Sequence, residues 1–210
     1  VTLLILIRHA RSIWNAEGRW QGQADPPLDE QGRRQAKALA HHLRHERLDA
    51  VYSSPLERAR ETAEAIAHEH RLAVLLDDRL KERHVGEWSG LTEGEVRERY
   101  PDTFTPTWWV EGPPGGESQA AVTARAVAAF GAICQRYPEG MVAVVSHGGT
   151  LNAYLRGVLH IPVDHPVSFR FENTTVARLR VRPSEVRLLT VGETGHLGSL
   201  PAHPGSSQRV

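Results

Sequence analysis

Three times along the chain a short aliphatic run gives way to polar residues and then to a segment whose apolar positions recur at helical spacing. Residues 3–7 run into Arg8, His9, Ala10, Arg11 and Ser12. Residues 49–52 lead through Ser53, Ser54 and Pro55 into a stretch where Ala59, Ala63, Ile66 and Ala67 share one helical face. Residues 141–145 lead into Ser146, His147, Gly148 and Gly149, and then into a helix over 150–159. Short β-branched or aliphatic runs bounded by polar residues read as buried strands, so these are three strand-to-helix junctions. Ser54 before Pro55 has the form of an N-cap with proline at the first helical position. Alanine-rich helices are predicted over 32–47 and 117–137, and a further strand over 72–76.

Strands alternating with helices predict an α/β three-layer sandwich, a mostly parallel central sheet flanked by helices. Residues 176–181 and 186–191, joined around Pro183 and Ser184, read as a late hairpin, which makes one edge of the sheet antiparallel and offers an edge for pairing into a homodimer. Residues 103–116 hold Trp108, Trp109, three prolines and three glycines, a poor helix and therefore a loop or lid. The 210-residue length suits one domain, taken as 1–191, and a Gly-, Pro-, Ser- and His-containing tail over 192–210 is expected at the surface or mobile.

Composition removes function classes more than it adds them. Lys plus Arg and Asp plus Glu are 25 each, so no global field draws nucleic acid or an anionic membrane, and any anion specificity must be local. The lone Cys134 leaves no internal disulfide or multi-cysteine metal site and fits a reducing, cytoplasmic setting. The apolar opening ends at Arg8, too short for a membrane span. His41 and His45 lie four apart on a helix, but no acid and histidine cluster completes a coordination shell beside them, so no metal site is expected.

In an open α/β sheet ligands bind beyond the carboxyl ends of the strands, and the three junctions put Arg8 with His9, Arg58, and His147 at such ends. A phosphate dianion needs charge compensation and several fixed donors. Two guanidiniums, two imidazoles and the amides of a helix start can supply them.

These residues sit within a longer set of motifs. R-H-A-R-S-x-W-N at Arg8 to Asn15 resembles the signature of the histidine phosphatase superfamily, which includes cofactor-dependent phosphoglycerate mutases. Asp25-x-Pro27-Leu28, Gly32-x-x-Gln35-Ala36, Ser53-Ser54-Pro55-Leu56-x-Arg58-Ala59-x-x-Thr62-Ala63, Leu80-x-Glu82-x-x-x-Gly86-x-Trp88-x-Gly90 and Ser146-His147-Gly148-Gly149 follow in the family's order. The resemblance implies that His9 attacks phosphorus and becomes phosphohistidine, while Arg8, Arg58 and His147 hold the phosphoryl oxygens. Glu82 occupies the acidic position expected of a general acid that later serves as base. Asn15 and Gly148 are implied as further phosphoryl contacts, with Trp20, Gln21 and Gly22 beside the substrate. Neighbouring arginines should lower the pKa of His9, keeping one nitrogen nucleophilic, and His147 is expected as a protonated donor. Ala10, Arg11 and Ser12 depart from the family pattern, and Arg11 is read as an added cation at the pocket mouth favouring a second negative group on the substrate.

Only 56 residues separate Gly90 from His147, where the mutase branch carries inserted segments, so the resemblance favours a compact, metal-independent phosphomonoester hydrolase acting on a small phosphorylated metabolite without a cofactor. Arg83-His84 keeps a phosphoglycerate mutase as the alternative, with 2,3-bisphosphoglycerate as its cofactor. A non-catalytic phospholigand-binding module would need a damaged catalytic set, and here the set is intact.

Overall fold

The structure is a computed structural model that describes residues 1–198. Its elements in chain order are β1 (Thr2–Arg8), α1 (Ile13–Glu17), α2 (Glu30–Leu43), β2 (Ala50–Ser53), α3 (Glu57–His70), β3 (Val74–Leu76), α4 (Glu93–Arg99), α5 (Trp108–Glu111), α6 (Gln119–Arg136), β4 (Met141–Ser146), α7 (Gly148–Val158), β5 (Val176–Arg182) and β6 (Glu185–Glu193). They form one six-stranded sheet in the order β3-β2-β4-β1-β5-β6. Strands β3, β2, β4 and β1 pair in parallel, while β5 is antiparallel to both β1 and β6.

Alternation along β1 explains the layering. Leu4 and Leu6 face a core built with Ala126, Phe130 and Ile133 of α6 and Leu151 and Leu155 of α7. Ile5 and Ile7 face the other way, onto Leu39 and Leu43 of α2 and Ala63 and Ile66 of α3. Successive strand residues point to opposite faces, so a run of aliphatic residues without polar interruption is what a strand covered by helices on both sides requires. Each such side chain contributes about 1.5–3 kcal/mol of burial.

The hairpin expected at an edge is more than an edge strand. β5 lies inside the sheet against β1, and β6 forms the outer strand. Helix ends also move from their expected places, each for a local reason. α2 begins at Glu30 because Asp29 accepts the Gly32 amide at 2.6 Å. α6 begins after Ser118, whose hydroxyl caps the Ala121 amide. α3 begins at Glu57 rather than Pro55, with Leu56 in the cap position and no side-chain cap. Residues 103–116 are mainly loop, but Trp108–Glu111 forms the single turn α5. β6 continues past residue 192 to Glu193, and Gly195–Leu197 forms a 3-10 turn packed on α2, so the first part of the expected tail is built into the fold. The remainder of that tail, 199–210, lies outside the described residues. No helix among the described residues is long and apolar enough to cross a membrane.

Candidate active site

Register puts the two histidines side by side. Arg8 at the end of β1 is level with Ser146 at the end of the adjacent β4, so the next residues, His9 and His147, leave the sheet together. Their ring centroids are 5.0 Å apart. β2 on the far side of β4 aligns Ser53 with Val145, which brings Ser54 and the start of α3 to the same edge.

His9 is 2% exposed. Its Nδ1 lies 2.7 Å from the carbonyl of Ala10, which can only accept, so Nδ1 carries the proton and the lone pair falls on Nε2. Burial, then Arg58 and Arg8, hold the ring well below the ordinary histidine range. The ring is therefore neutral at neutral pH, with its lone pair on Nε2. Ala10 is not among the non-glycine residues with positive φ, which fits a backbone that does not need glycine there. Its amide donates to Thr62 Oγ1 of α3 at 3.0 Å, tying the loop after His9 to the helix that carries Arg58.

Arg58 is fully buried and donates to the carbonyls of Gly22 at 2.8 Å and Ala24 at 2.7 Å. Burial lowers its pKa to about 10, so it remains cationic. Gly22 has φ +50°, and a Cβ there would meet Val85 Cγ2 at 2.6 Å, so this turn of the pocket requires glycine. Arg8 reaches the carbonyl of Phe171 at 2.5 Å, and its charge and that of Arg58 both interact with Glu82.

In this site burial, then Arg58, His9 and Arg8, push the pKa of His147 well below the ordinary range. Its Nε2 lies 2.8 Å from Ser54 Oγ. That oxygen also accepts the Leu56 amide at 3.3 Å. Nδ1 is buried without a hydrogen-bond partner, as is Arg58 Nε. The hydroxyl that the sequence suggested as a helix cap is thus also a partner of His147.

Glu82 occupies the start of α7, whose cap residue His147 supplies no side-chain cap. Its Oε1 accepts from the Arg83 amide at 2.8 Å and the Thr150 amide at 3.1 Å, and its Oε2 from the Gly149 amide at 3.2 Å. A Cβ on Gly149 would lie 2.6 Å from Glu82 Oε1. Glycine at 149 thus makes room for the carboxylate, and of these turn amides Gly148's is the one Glu82 leaves unengaged. Arg125 of α6 grips the segment from behind, donating to the carbonyls of Arg79, Lys81 and Glu82 and pairing with Glu117 at 2.8 Å.

Of the remaining expected contacts, Asn15 is buried and its Oδ1 is taken by Ser12 and Asn173, which leaves its NH2 end for a ligand. Gln21 is buried and receives the Ser12 hydroxyl at 2.8 Å. Trp20 packs edge-on against Trp88 and Trp108. Arg11 does not stand as a free cation: it pairs with Asp29 at 2.7 Å. His84 is exposed and accepts the Gly86 amide at Nδ1. Sequence reasoning missed Ser54 as a partner of His147, Arg125 and Asn173. The motif Ser53-Ser54-Pro55 signalled the first, and nothing local signals the other two.

A family model for the histidine phosphatase superfamily (branch 1) matches residues 4–194. Phosphoserine phosphatase 1 of Hydrogenobacter thermophilus is 40% identical over 200 residues, 93% of this chain and 94% of that protein. The metal-independent phosphoserine phosphatase of Arabidopsis thaliana is 41% identical over 163 residues, 74% of this chain and 68% of that protein. Among solved structures, Bacillus stearothermophilus YhfR superposes with a TM-score of 0.87 at 33% identity, covering 94% of this chain and all of that one. Sequence, fold and the convergence of two histidines, two arginines and a carboxylate agree: the chain belongs to the histidine phosphatase superfamily.

Proposed function

We propose that this protein is a single-domain, metal-independent phosphatase that hydrolyses a small phosphomonoester of the phosphoserine class through phosphohistidine at His9. The observation that carries the reading is the buried, neutral His9 with Nε2 available, in the field of Arg8 and Arg58, both of which also interact with Glu82. Nε2 attacks phosphorus as the ester P–O bond breaks, and the proton required by the leaving alkoxide comes from Glu82. The Glu82 carboxylate then takes a proton from water, which attacks phosphorus as the N–P bond breaks and inorganic phosphate forms. Arg8, Arg58, His147 and the Asn15 amide spread the charge on the equatorial oxygens.

The substrate class rests on the two phosphoserine phosphatases described above and on the fold shared with Entamoeba histolytica phosphoserine phosphatase, solved as a mutant in complex with phosphoserine, at 28% identity and a TM-score of 0.82. The lone, half-buried Cys134 supports a reducing, cytoplasmic setting. The test is phosphate release from phosphoserine in EDTA, run beside 3-phosphoglycerate with and without 2,3-bisphosphoglycerate. Release that survives EDTA is expected. Interconversion to 2-phosphoglycerate dependent on the bisphosphate, without comparable hydrolysis, would replace this reading with a mutase.

A further inference from the structure

His196 reaches the active site's supporting structure from the far end of the described chain. It sits on the turn Gly195–Leu197, is 8% exposed, and its Nε2 lies 3.0 Å from Thr174 Oγ1. The Thr174 hydroxyl donates to the carbonyl of Asn173 at 2.7 Å, so it meets His196 as an acceptor and the imidazole carries its proton on Nε2. Burial and the neighbouring His42, whose ring is 5.5 Å away, lower the pKa of His196 to about 4, consistent with that neutral form.

Thr174 is in an unfavourable conformation for a β-branched residue, with φ +60°. That backbone aims its amide at the carbonyls of Arg8, 3.0 Å away, and His9, 3.3 Å away. Asn173 beside it donates from Nδ2 to His9 O at 3.0 Å and to Asn15 Oδ1 at 3.2 Å. A strained turn of this kind persists only where its surroundings over-determine it. Besides its bonds to Arg8 and His9, the turn is held by the imidazole of His196.

We infer that His196 is a positioning residue for the nucleophile, locking the Asn173-Thr174 turn that fixes the main chain of His9 and orients Asn15. The inference rests on His9 being the nucleophile. Releasing the turn shifts His9 relative to a bound phosphoryl group and loosens the main chain of Arg8 with it, while Arg58, held by the Gly22 and Ala24 carbonyls, stays in place.

His196→Ala should therefore lower kcat for p-nitrophenyl phosphate, and the single-turnover rate of phosphoenzyme formation with it, by about tenfold, with a smaller change in KM. His196→Gln, whose amide nitrogen can donate to Thr174 Oγ1 from a similar reach, should recover most of kcat even if both variants melt at lower temperature. His42→Ala removes the neighbouring ring and not the hydrogen bond, and should keep kcat. Should His196→Ala not fold, Thr174→Val removes the same bond at nearly constant shape and should reproduce the kcat loss. Normal kcat in His196→Ala or Thr174→Val, or a glutamine variant as slow as alanine, overturns the inference. Mapping the label in the wild-type protein separates the two layers, because phosphate on a residue other than His9 refutes the active-site reading itself.

Discussion

Gly149→Ala separates the role of Glu82 from the stability of the fold. The added methyl would start 2.6 Å from Glu82 Oε1 and 3.3 Å from its Cδ, so the carboxylate must retreat by about 0.8 Å to reach ordinary van der Waals contact. Retreat weakens the bonds from the Gly149 and Thr150 amides, at 3.2 and 3.1 Å, each worth about 1.5–3 kcal/mol as a charge-assisted bond in place. Against this, alanine favours the first turn of α7 by up to about 1 kcal/mol, and the atom that must move is the end of a flexible side chain. The melting temperature should therefore change by only a few degrees. Catalysis should suffer more, because an acid displaced by roughly 1 Å from its leaving group can cost about a hundredfold. The assay is kcat on phosphoserine beside kcat on p-nitrophenyl phosphate, whose leaving group needs little protonation. The account expects a loss several times larger for phosphoserine. Equal losses on the two substrates, or none, would refute the assignment of Glu82 as the acid.

Ser54→Ala removes the hydroxyl 2.8 Å from His147 Nε2 and leaves a buried nitrogen unpaired, so stability should fall by about 1–3 kcal/mol in a denaturant titration and kcat by about tenfold. Arg58→Lys cannot hold both the Gly22 and Ala24 carbonyls and present a planar fork to phosphate, so kcat/KM should fall by about a hundredfold or more. The pH dependence of stability follows from three buried histidines. His9 and His147 are held well below their ordinary range and His196 at about 4, so the unfolded chain takes up protons near pH 6.5 that the folded protein does not. Stability should be fully present above that pH and decline as pH falls toward 4, His196 alone accounting for at most about 3 kcal/mol. Melting curves in phosphate-free buffer check this, and a flat profile between pH 7 and 5 would contradict it.

The frame of the site is legible in the sequence because it is built from local signals. Aliphatic runs ending in Arg8-His9, Ser53-Ser54 and Ser146-His147 mark strand ends, and parallel pairing brings such ends to one edge. What escapes is whatever depends on distant partners. Ser54 has the chemistry of a helix cap, but His147 competes for it across 93 positions of sequence. The protonation of His147 turns on burial, which no motif encodes. Asn173 meets His9 across 164 positions, and the segment around it carries no periodicity. Other signals were present and unused. Thr92-x-x-Glu95 is a capping box, and the structure uses it to start α4, with the Thr92 amide donating to Glu95 at 2.8 Å. The residues after Gly192 read as a tail from their composition, yet one histidine among them is buried against the turn that holds the main chain of His9.

The central claim is that phosphate passes through Nε2 of His9. Rapid acid-free quenching of the protein with 32P-labelled substrate, followed by peptide mapping, tests it most directly. The account predicts an acid-labile, base-stable label on the peptide containing His9, formed at a rate no slower than turnover and absent in His9→Ala, which should release no phosphate. Normal turnover by His9→Ala, or a label on any other residue, would contradict it.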